Sequence, residues 1–434
     1  MIRTILHQMW NERRINGWLF LELVAVSVFL WLAIDPLFIL VSRERIPAGY
    51  RAENLYKVEM VKYQKTNLKY RAEADNDSVT AAVFRNAFEA VRKIPEVQYV
   101  GTCFMGNYPH GGSLSSTFYV VDSTQTADGK NKEVYCVKYS TSMTEGDDWP
   151  ATLGLTDAQT GEPLHIVRNE NVRNFLVSRS FAMEAFGRVN ITGEKVGRWE
   201  GKYNICGVYE DIQTMIYSNP EASVIAVEPA LMKDFSLLFR IKEGVDREAF
   251  EQRFKEEYAQ RLSGGNFYCK GIVSNEAERK DMIEFRGYGN TFRLQSALTL
   301  FALLCAFLGV VSTFWMRANA RRRDIGVMRS VGASSGRIVA QFVTEASGLV
   351  TLAFIVALPL IMHKVYAMGF ADPLDAFLSR HDEKSDYIHD VAWMHFAAVS
   401  FITYIIILLV AVAGAAISAR RIAGILPSDA LREE

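Results

Sequence analysis

Two Gly-Lys pairs are the first candidates for chemistry, because a glycine-rich loop ending in Gly-Lys-Ser or Gly-Lys-Thr cradles the phosphates of a nucleoside triphosphate. Gly129-Lys130 is followed by Asn131 and Gly201-Lys202 by Tyr203, so neither offers the hydroxyl that such a loop presents to magnesium. ATP hydrolysis by that chemistry is not expected of this chain. His110 precedes Gly111-Gly112, but no Gly-x-Ser-x-Gly elbow supplies a nucleophile for it to serve, and it reads as a loop histidine. His381-Asp382-Glu383, Asp386 and His389-Asp390 could ligate a divalent cation, yet a run of this kind reads first as a solvated acidic surface. Cys103, Cys136, Cys206 and Cys269 are widely spaced and Cys305 sits in an apolar run; no Cys-x-x-Cys or His-Glu-x-x-His spacing accompanies them. They read as buried free thiols, with disulfides among the first four left open. No catalytic, cofactor-binding or metal-binding residue is expected, and the chain does not read as an enzyme.

The most informative stretch is Ala318-Asn-Ala-Arg-Arg-Arg-Asp-Ile-Gly-Val-Met-Arg-Ser-Val-Gly-Ala-Ser334. Ile325, Met328 and Val331 recur at a helical interval, Gly332 can end that helix, and Ser334 or Ser335 can cap the next, whose apolar face is Ile338, Val339 and Phe342. This predicts a short helix, a glycine turn and an elbow helix lying against a membrane. By physical chemistry alone it reads as a positive-inside loop with an interfacial helix.

The elements that hold this stretch are apolar. Residues 294–316 are uncharged over about the 20 positions that a bilayer-crossing helix needs. Residues 391–418 form a second such run, and 342–362 a third that contains the single acid Glu345. Residues 18–41 carry Glu22 and Asp35, but both lie near the ends, where an acid costs less than at the bilayer centre. A cleaved signal peptide competes for this segment; no small-x-small cleavage site closely follows its core, so it reads as an uncleaved anchor. Four spans are expected.

Arginine content assigns the sides. Arg3, Arg13 and Arg14 precede the first span, Arg317, Arg321, Arg322, Arg323, Arg329 and Arg337 lie between the second and third, and Arg420-Arg421 follow the fourth. The segments 1–17, 317–341 and 419–434 are therefore expected in the cytoplasm, 1–17 as an amphipathic helix, and the acidic loop 363–390 on the far side. Residues 42–293 form one large far-side domain of near-balanced charge. With a formal net charge of -1 and a pI near 6.7, the chain presents no basic surface for nucleic acid.

The two flanks of that domain share a pattern. Leu55–Lys62 alternates like a strand, 79–94 repeats like a helix and 97–100 resumes a strand. Residues 235–241, 247–262 and 266–274 repeat strand, helix, strand, with Asp246 as N-cap. Two such units pack as one α+β sheet with its helices on one face, in ferredoxin-like fashion, around an inserted, mostly β subdomain at about 105–232 broken by one helix near 180–186.

Asp324-Ile-Gly-Val-Met-Arg-Ser-Val-Gly-Ala-Ser334 resembles the acid-Ile-Gly-x-x-Arg-x-x-Gly-Ala motif of ABC transporter permeases of the FtsX-like, MacB type. Ala419-Arg-Arg-Ile-Ala-Gly-Ile-Leu-Pro-Ser-Asp-Ala-Leu-Arg432 is similar to the closing signature of that family, with Arg421, Pro427, Ala430, Leu431 and Arg432 at its marked positions. Leu176–Gly187 and Gly207-Val-Tyr-Glu-Asp211 resemble two segments of the family's periplasmic domain. Asp324 stands where the family more often has Glu, and Ser330 where it often has Ala.

The resemblance implies a multi-pass protein of the bacterial inner membrane with both termini cytoplasmic and a MacB-type periplasmic domain. It implies that Asp324, Ile325, Gly326, Met328, Arg329, Val331, Gly332 and Ala333 couple the chain to a separate ABC ATP-binding subunit. ATP and magnesium would bind there, with no cofactor on this chain. A second permease chain, identical or not, would pair with it, and a periplasmic adaptor and an outer-membrane component are further implied partners. The implied function is mechanotransmission in efflux of a periplasmic substrate. The alternatives are an FtsX-like regulator of a periplasmic partner such as a cell-wall hydrolase, or a lipoprotein-release permease.

Overall fold

The computed structural model describes residues 13–111, 115–122, 130–166, 174–198, 201–218, 220–228, 232–367 and 386–423. It divides into two compact units, Met1–Arg43 with Gly289–Glu434, and Glu44–Tyr288. The first long helix, α1 (Arg13–Glu44), contains the first span and runs unbroken through the end of the segment expected as a separate amphipathic helix; residues 1–12 of that segment lie outside the described residues.

In the large unit, β1 (Leu55–Lys62), α2 (Asp77–Arg92) and β2 (Val97–Phe104) come first. Then follow β3 (Ser116–Val121), β4 (Lys132–Ser142), α3 (Trp149–Leu153), β5 (Asn174–Ser178), α4 (Arg179–Phe186), β6 (Lys195–Arg198), β7 (Gly201–Tyr209) and β8 (Ser223–Glu228). The unit closes with β9 (Phe235–Ile241), α5 (Arg247–Arg253), β10 (Phe267–Ser274) and α6 (Asn275–Phe285).

The two flanks form a single antiparallel sheet in the order β10-β1-β9-β2, as the repeated strand-helix-strand pattern predicts. Asn76 caps α2 by accepting the Val79 N–H at 2.9 Å, and Asp246 caps α5 by accepting that of Ala249 at 3.2 Å. The apolar stripe Ala81, Phe84, Ala87, Phe88 and Val91 packs α2 on the sheet beside Phe250 and Phe254. The second helix stops short of the expected Leu262. After Arg253 it widens into one π-helical turn, Phe254–Tyr258, closed by the Ala259 N–H on the Phe254 carbonyl at 2.9 Å. In that turn Phe254 is buried and stacks on Phe239 at 5.8 Å.

The insert is β-rich, as expected, and closes into a six-stranded barrel in the order β3-β4-β8-β5-β7-β6, with Val120 opposite Gly197 at the seam. Closure removes the exposed edges of an open sheet. The two family-like segments meet inside it. Leu176 pairs with Gly207 in parallel register, and a Cβ on Gly207 would lie 3.1 Å from Leu176 Cδ2. Asp211 accepts both the N–H and the hydroxyl of Ser180 at 2.7 Å. These residues therefore build the barrel.

Sheet and barrel share a core containing Leu55, Cys103, Tyr139, Trp149, Leu176 and Leu238. Asp147, fully buried, joins them: it accepts the Thr102 N–H at 3.1 Å, the Ser142 N–H at 3.2 Å, the Ser142 hydroxyl at 2.6 Å and the Thr102 hydroxyl. His110 is a loop residue but not a solvated one. Its Nδ1 lies 3.0 Å from the Tyr50 hydroxyl, and its Nε2 3.0 Å from Gln213 Oε1. The Tyr50 hydroxyl also reaches the Asn275 amide at 3.0 Å. All five cysteines are free thiols, with Cys103, Cys136 and Cys269 buried.

The membrane unit continues with α7 (Tyr288–Ala320), α8 (Arg322–Ser330), α9 (Ser335–Ala367) and α10 (Asp386–Ala423). Among the described residues, four helices are long and apolar enough to cross a membrane, at the positions expected. Both acids of the first span have partners: Thr313 donates to Glu22 at 3.0 Å, and Asp35 meets His395 Nε2 at 2.6 Å. Pro36, inside α1, has no N–H to donate to the turn before it, and in that turn the Ala33 carbonyl accepts from Gln295 at 2.8 Å and Thr299 at 2.9 Å. The elbow expected before the third span is absent. α9 is one helix from Ser335, because no breaker separates the amphipathic turn at Ile338 and Phe342 from the apolar run that follows. Most of the acidic loop 363–390, with the cluster at His381, lies outside the described residues; among those described, no group of His, Cys, Asp and Glu could hold a metal ion.

Two outcomes follow for the large unit. Asp147→Asn replaces an acceptor oxygen by a donor among four donors, so it should cost about 2 kcal/mol or more, read as a loss of hydrogen-exchange protection of over tenfold in β2 and β4. Burial lowers the His110 pKa from 6.5 to about 4. Unfolding therefore takes up a proton between those values, and stability is full above pH 6.5 and falls toward pH 4, by on the order of 3 kcal/mol. Thermal unfolding of the full chain at pH 7.5 and 4.5 should show a smaller pH difference for His110→Gln than for the wild type.

Candidate functional site

The stretch with the strongest chemical pattern forms a nine-residue helix, α8, strung between two membrane-length helices. Ile325 points inward, 3% exposed, into a cluster with Ala318, Ile338, Phe342, Ala419 and Ile422. That cluster draws on α7, α8, α9 and α10, so one apolar residue seats α8 on the rest of the unit. Gly326 is buried beside it. The opposite face is open at Val327, Val331 is 83% exposed at the tip, and Met328, one turn from Ile325 on its own side, is exposed as well, so the expected Ile325, Met328 and Val331 repeat is not buried as one face. Arg323 and Arg337 are exposed to either side of it, and Arg329 is half-buried.

The turn has the predicted chemistry. Gly332 has φ +94°, the left-handed conformation that glycine adopts without penalty. Its N–H donates to the Arg329 carbonyl and that of Ala333 to the Met328 carbonyl, both at 3.0 Å, which is a Schellman motif. Ser334 then caps α9 by accepting the Arg337 N–H at 3.3 Å. A Cβ on Gly332 would meet nothing within 4 Å. Within this chain the glycine is thus required by backbone conformation and not by close packing.

Sequence reasoning missed the group beneath the site. Glu345, the lone acid of the third span, is 1% exposed and accepts from Arg317 at 2.9 Å and from Arg321 at 3.1 and 3.2 Å. Gln341 approaches the same carboxylate at 3.5 Å. The signal was present: an acid inside an apolar run needs partners, and Arg317 and Arg321 stand one helical turn apart at the end of the preceding span. Of the tail signature, Arg421 places its guanidinium 4.9 Å over the Trp315 ring. Pro427, Ala430, Leu431 and Arg432 lie outside the described residues, as does the side chain of Asp324.

Residues 296–427, which include all of this geometry, match the family model of the FtsX-like permease C-terminal domain. This segment is an FtsX-like permease domain. Over 247 residues it is 26% identical to the macrolide export ATP-binding/permease protein MacB of Salmonella choleraesuis (strain SC-B67), and equally to that of Salmonella typhimurium. Each alignment takes in 54% of this chain and 34% of the relative, so this chain matches about a third of the length of those proteins. Solved structures similar to it include the periplasmic region of MacB from Actinobacillus actinomycetemcomitans, at 14% identity and TM-score 0.31, covering 54% of this chain and 94% of the other. The extracellular domain of the noncanonic ABC-type transporter YknZ from Gram-positive bacteria aligns at 10% identity and TM-score 0.29, covering 50% of this chain and 100% of the other.

Gly332→Val should cost about 1–2 kcal/mol locally, since a β-branched residue at positive φ is strained even in open space. Gly332→Asn should cost less. Hydrogen exchange of the Gly332 and Ala333 amides in the full chain measures both, and equal protection in all three proteins would remove the conformational argument.

Proposed function

We propose that this chain is an ABC transporter permease of the MacB/FtsX-like kind, that it works with a separate ATP-binding subunit and a second permease chain, and that α8 receives the force of ATP binding and hydrolysis. The observation that carries the reading is the exposed apolar tip Val327, Met328 and Val331, flanked by arginines, on a helix that Ile325 anchors to the rest of the unit. Such a surface suits an apolar cleft with an acidic rim on a partner protein. The chain carries no Gly-Lys-Ser or Gly-Lys-Thr loop, so ATP and magnesium are assigned to the partner. Asp324 and Arg329 supply charge for docking.

The arginine-rich end that bears α8 lies in the cytoplasm by the positive-inside rule, which puts both termini there and the large domain in the periplasm. Displacement of α8 tilts the spans, and the paired large domains change their mutual arrangement. We assign this motion to efflux of a periplasmic substrate, in keeping with the macrolide export named for the relatives; an adaptor and an outer-membrane component would carry the substrate onward.

Co-expression with an ABC ATP-binding subunit from the same organism tests the docking. The two should co-purify, and Val331→Asp should lower recovery of the ATPase at least tenfold while Leu352→Ala does not. Full recovery and full ATP-dependent function in Val331→Asp would refute the coupling role of α8. For the output, a deletion strain should become sensitive to an exported drug or peptide; capture of a cell-wall hydrolase with no change in sensitivity would replace efflux by regulation.

A further inference from the structure

Glu345 lies ten residues into α9, about 15 Å along the helix from its start, and one carboxylate there meets three elements. Arg317 reaches it from the end of α7. Arg321 reaches it from the single residue that links α7 to α8, and the same Arg321 opens α8, its carbonyl accepting the Ile325 N–H at 3.0 Å. The backbone of Arg321 therefore starts α8 while its side chain grips α9. A nine-residue helix is too short to hold its own shape and place. Its apolar seat through Ile325 is non-directional and tolerates rocking, whereas charge-assisted hydrogen bonds at 2.9–3.2 Å are directional. The side chains of Glu345, Arg317 and Arg321 are 1%, 5% and 12% exposed. Water can replace little of that contact, so parting the group strands buried charge and the joint is stiff.

We propose that Glu345 is a positioning residue that clamps α7, α8 and α9 into one rigid lever, so that a push on α8 reaches both long helices together. The inference rests on the coupling reading for its use, but the stiffness itself belongs to this chain alone and is measurable without a partner.

The test uses the full chain in nanodiscs, with Cys305→Ser, and pulsed electron paramagnetic resonance between nitroxides at Val331→Cys on α8 and Leu352→Cys on α9. Leu352→Cys with Leu409→Cys on α10 is the control pair; Val331, Leu352 and Leu409 are all exposed. Glu345→Gln should at least double the width of the Val331–Leu352 distance distribution and leave the control pair unchanged. Arg321→Gln retains the Arg317–Glu345 pair and should broaden the same distribution, which keeps the test available if Glu345→Gln fails to fold. Wild-type width in a folded Arg321→Gln chain, or in a folded Glu345→Gln chain, overturns the clamp. A doubled width supports the clamp even if Val331→Asp leaves ATPase recovery intact, in which case the coupling reading falls alone. Wild-type width with recovery lost in Val331→Asp removes the clamp and keeps the coupling reading.

Discussion

A polar or charged group in hydrocarbon must find its partner within the protein, and this requirement governs the packing of the membrane unit. Each of the three acids in the spans is met from outside its own helix: Glu22 by Thr313 of α7, Asp35 by His395 of α10, and Glu345 by Arg317 of α7 and by Arg321, which links α7 to α8. The carbonyl of Ala33, three residues before Pro36, is met by Gln295 and Thr299. Apolar contacts alone leave helices in lipid free to rotate, because lipid tails are as apolar as leucine. The polar contacts set which face of each helix turns inward and which ends lie together.

One consequence concerns α8. The contacts that order the bundle place the C-terminal end of α7, the start of α9 and the end of α10 around Ile325, so a short helix that could not persist alone is held with its other face open. Seating and exposure have one origin. The large domain follows a parallel logic, where buried Asp147 joins β2 of the sheet to β4 of the barrel and buried His110 is satisfied by Tyr50 and Gln213 from distant loops.

Much of this was legible in the residue pattern, and the reasons are local. Span positions follow from runs of uncharged residues, and the flanking βαβ units from period-2 and period-3.6 apolar repeats, the second helix capped by Asp246. The turn at Gly332 and the cap at Ser334 follow from backbone preferences of a few residues. What was misread depended on longer reach. The elbow before the third span was inferred from a change in polarity, but polarity does not break a helix, and α9 has no breaker there. The π-helical turn at Phe254 depends on Phe239 across the sheet, which local spacing does not reveal.

By itself, then, the chain of residues determined four membrane helices, an inserted α+β domain with its β-rich center, and a basic helix-turn-helix between two spans. Each of these rests on short-range periodicity, capping and the apolar length that a bilayer demands. Tertiary structure alone decided the closure of the barrel at Val120 and Gly197, the burial of His110, and the convergence of Arg317, Arg321 and Glu345 on one point. Those outcomes join residues far apart in the chain, and a residue type states that a buried charge needs a partner without stating which one folding will bring to it.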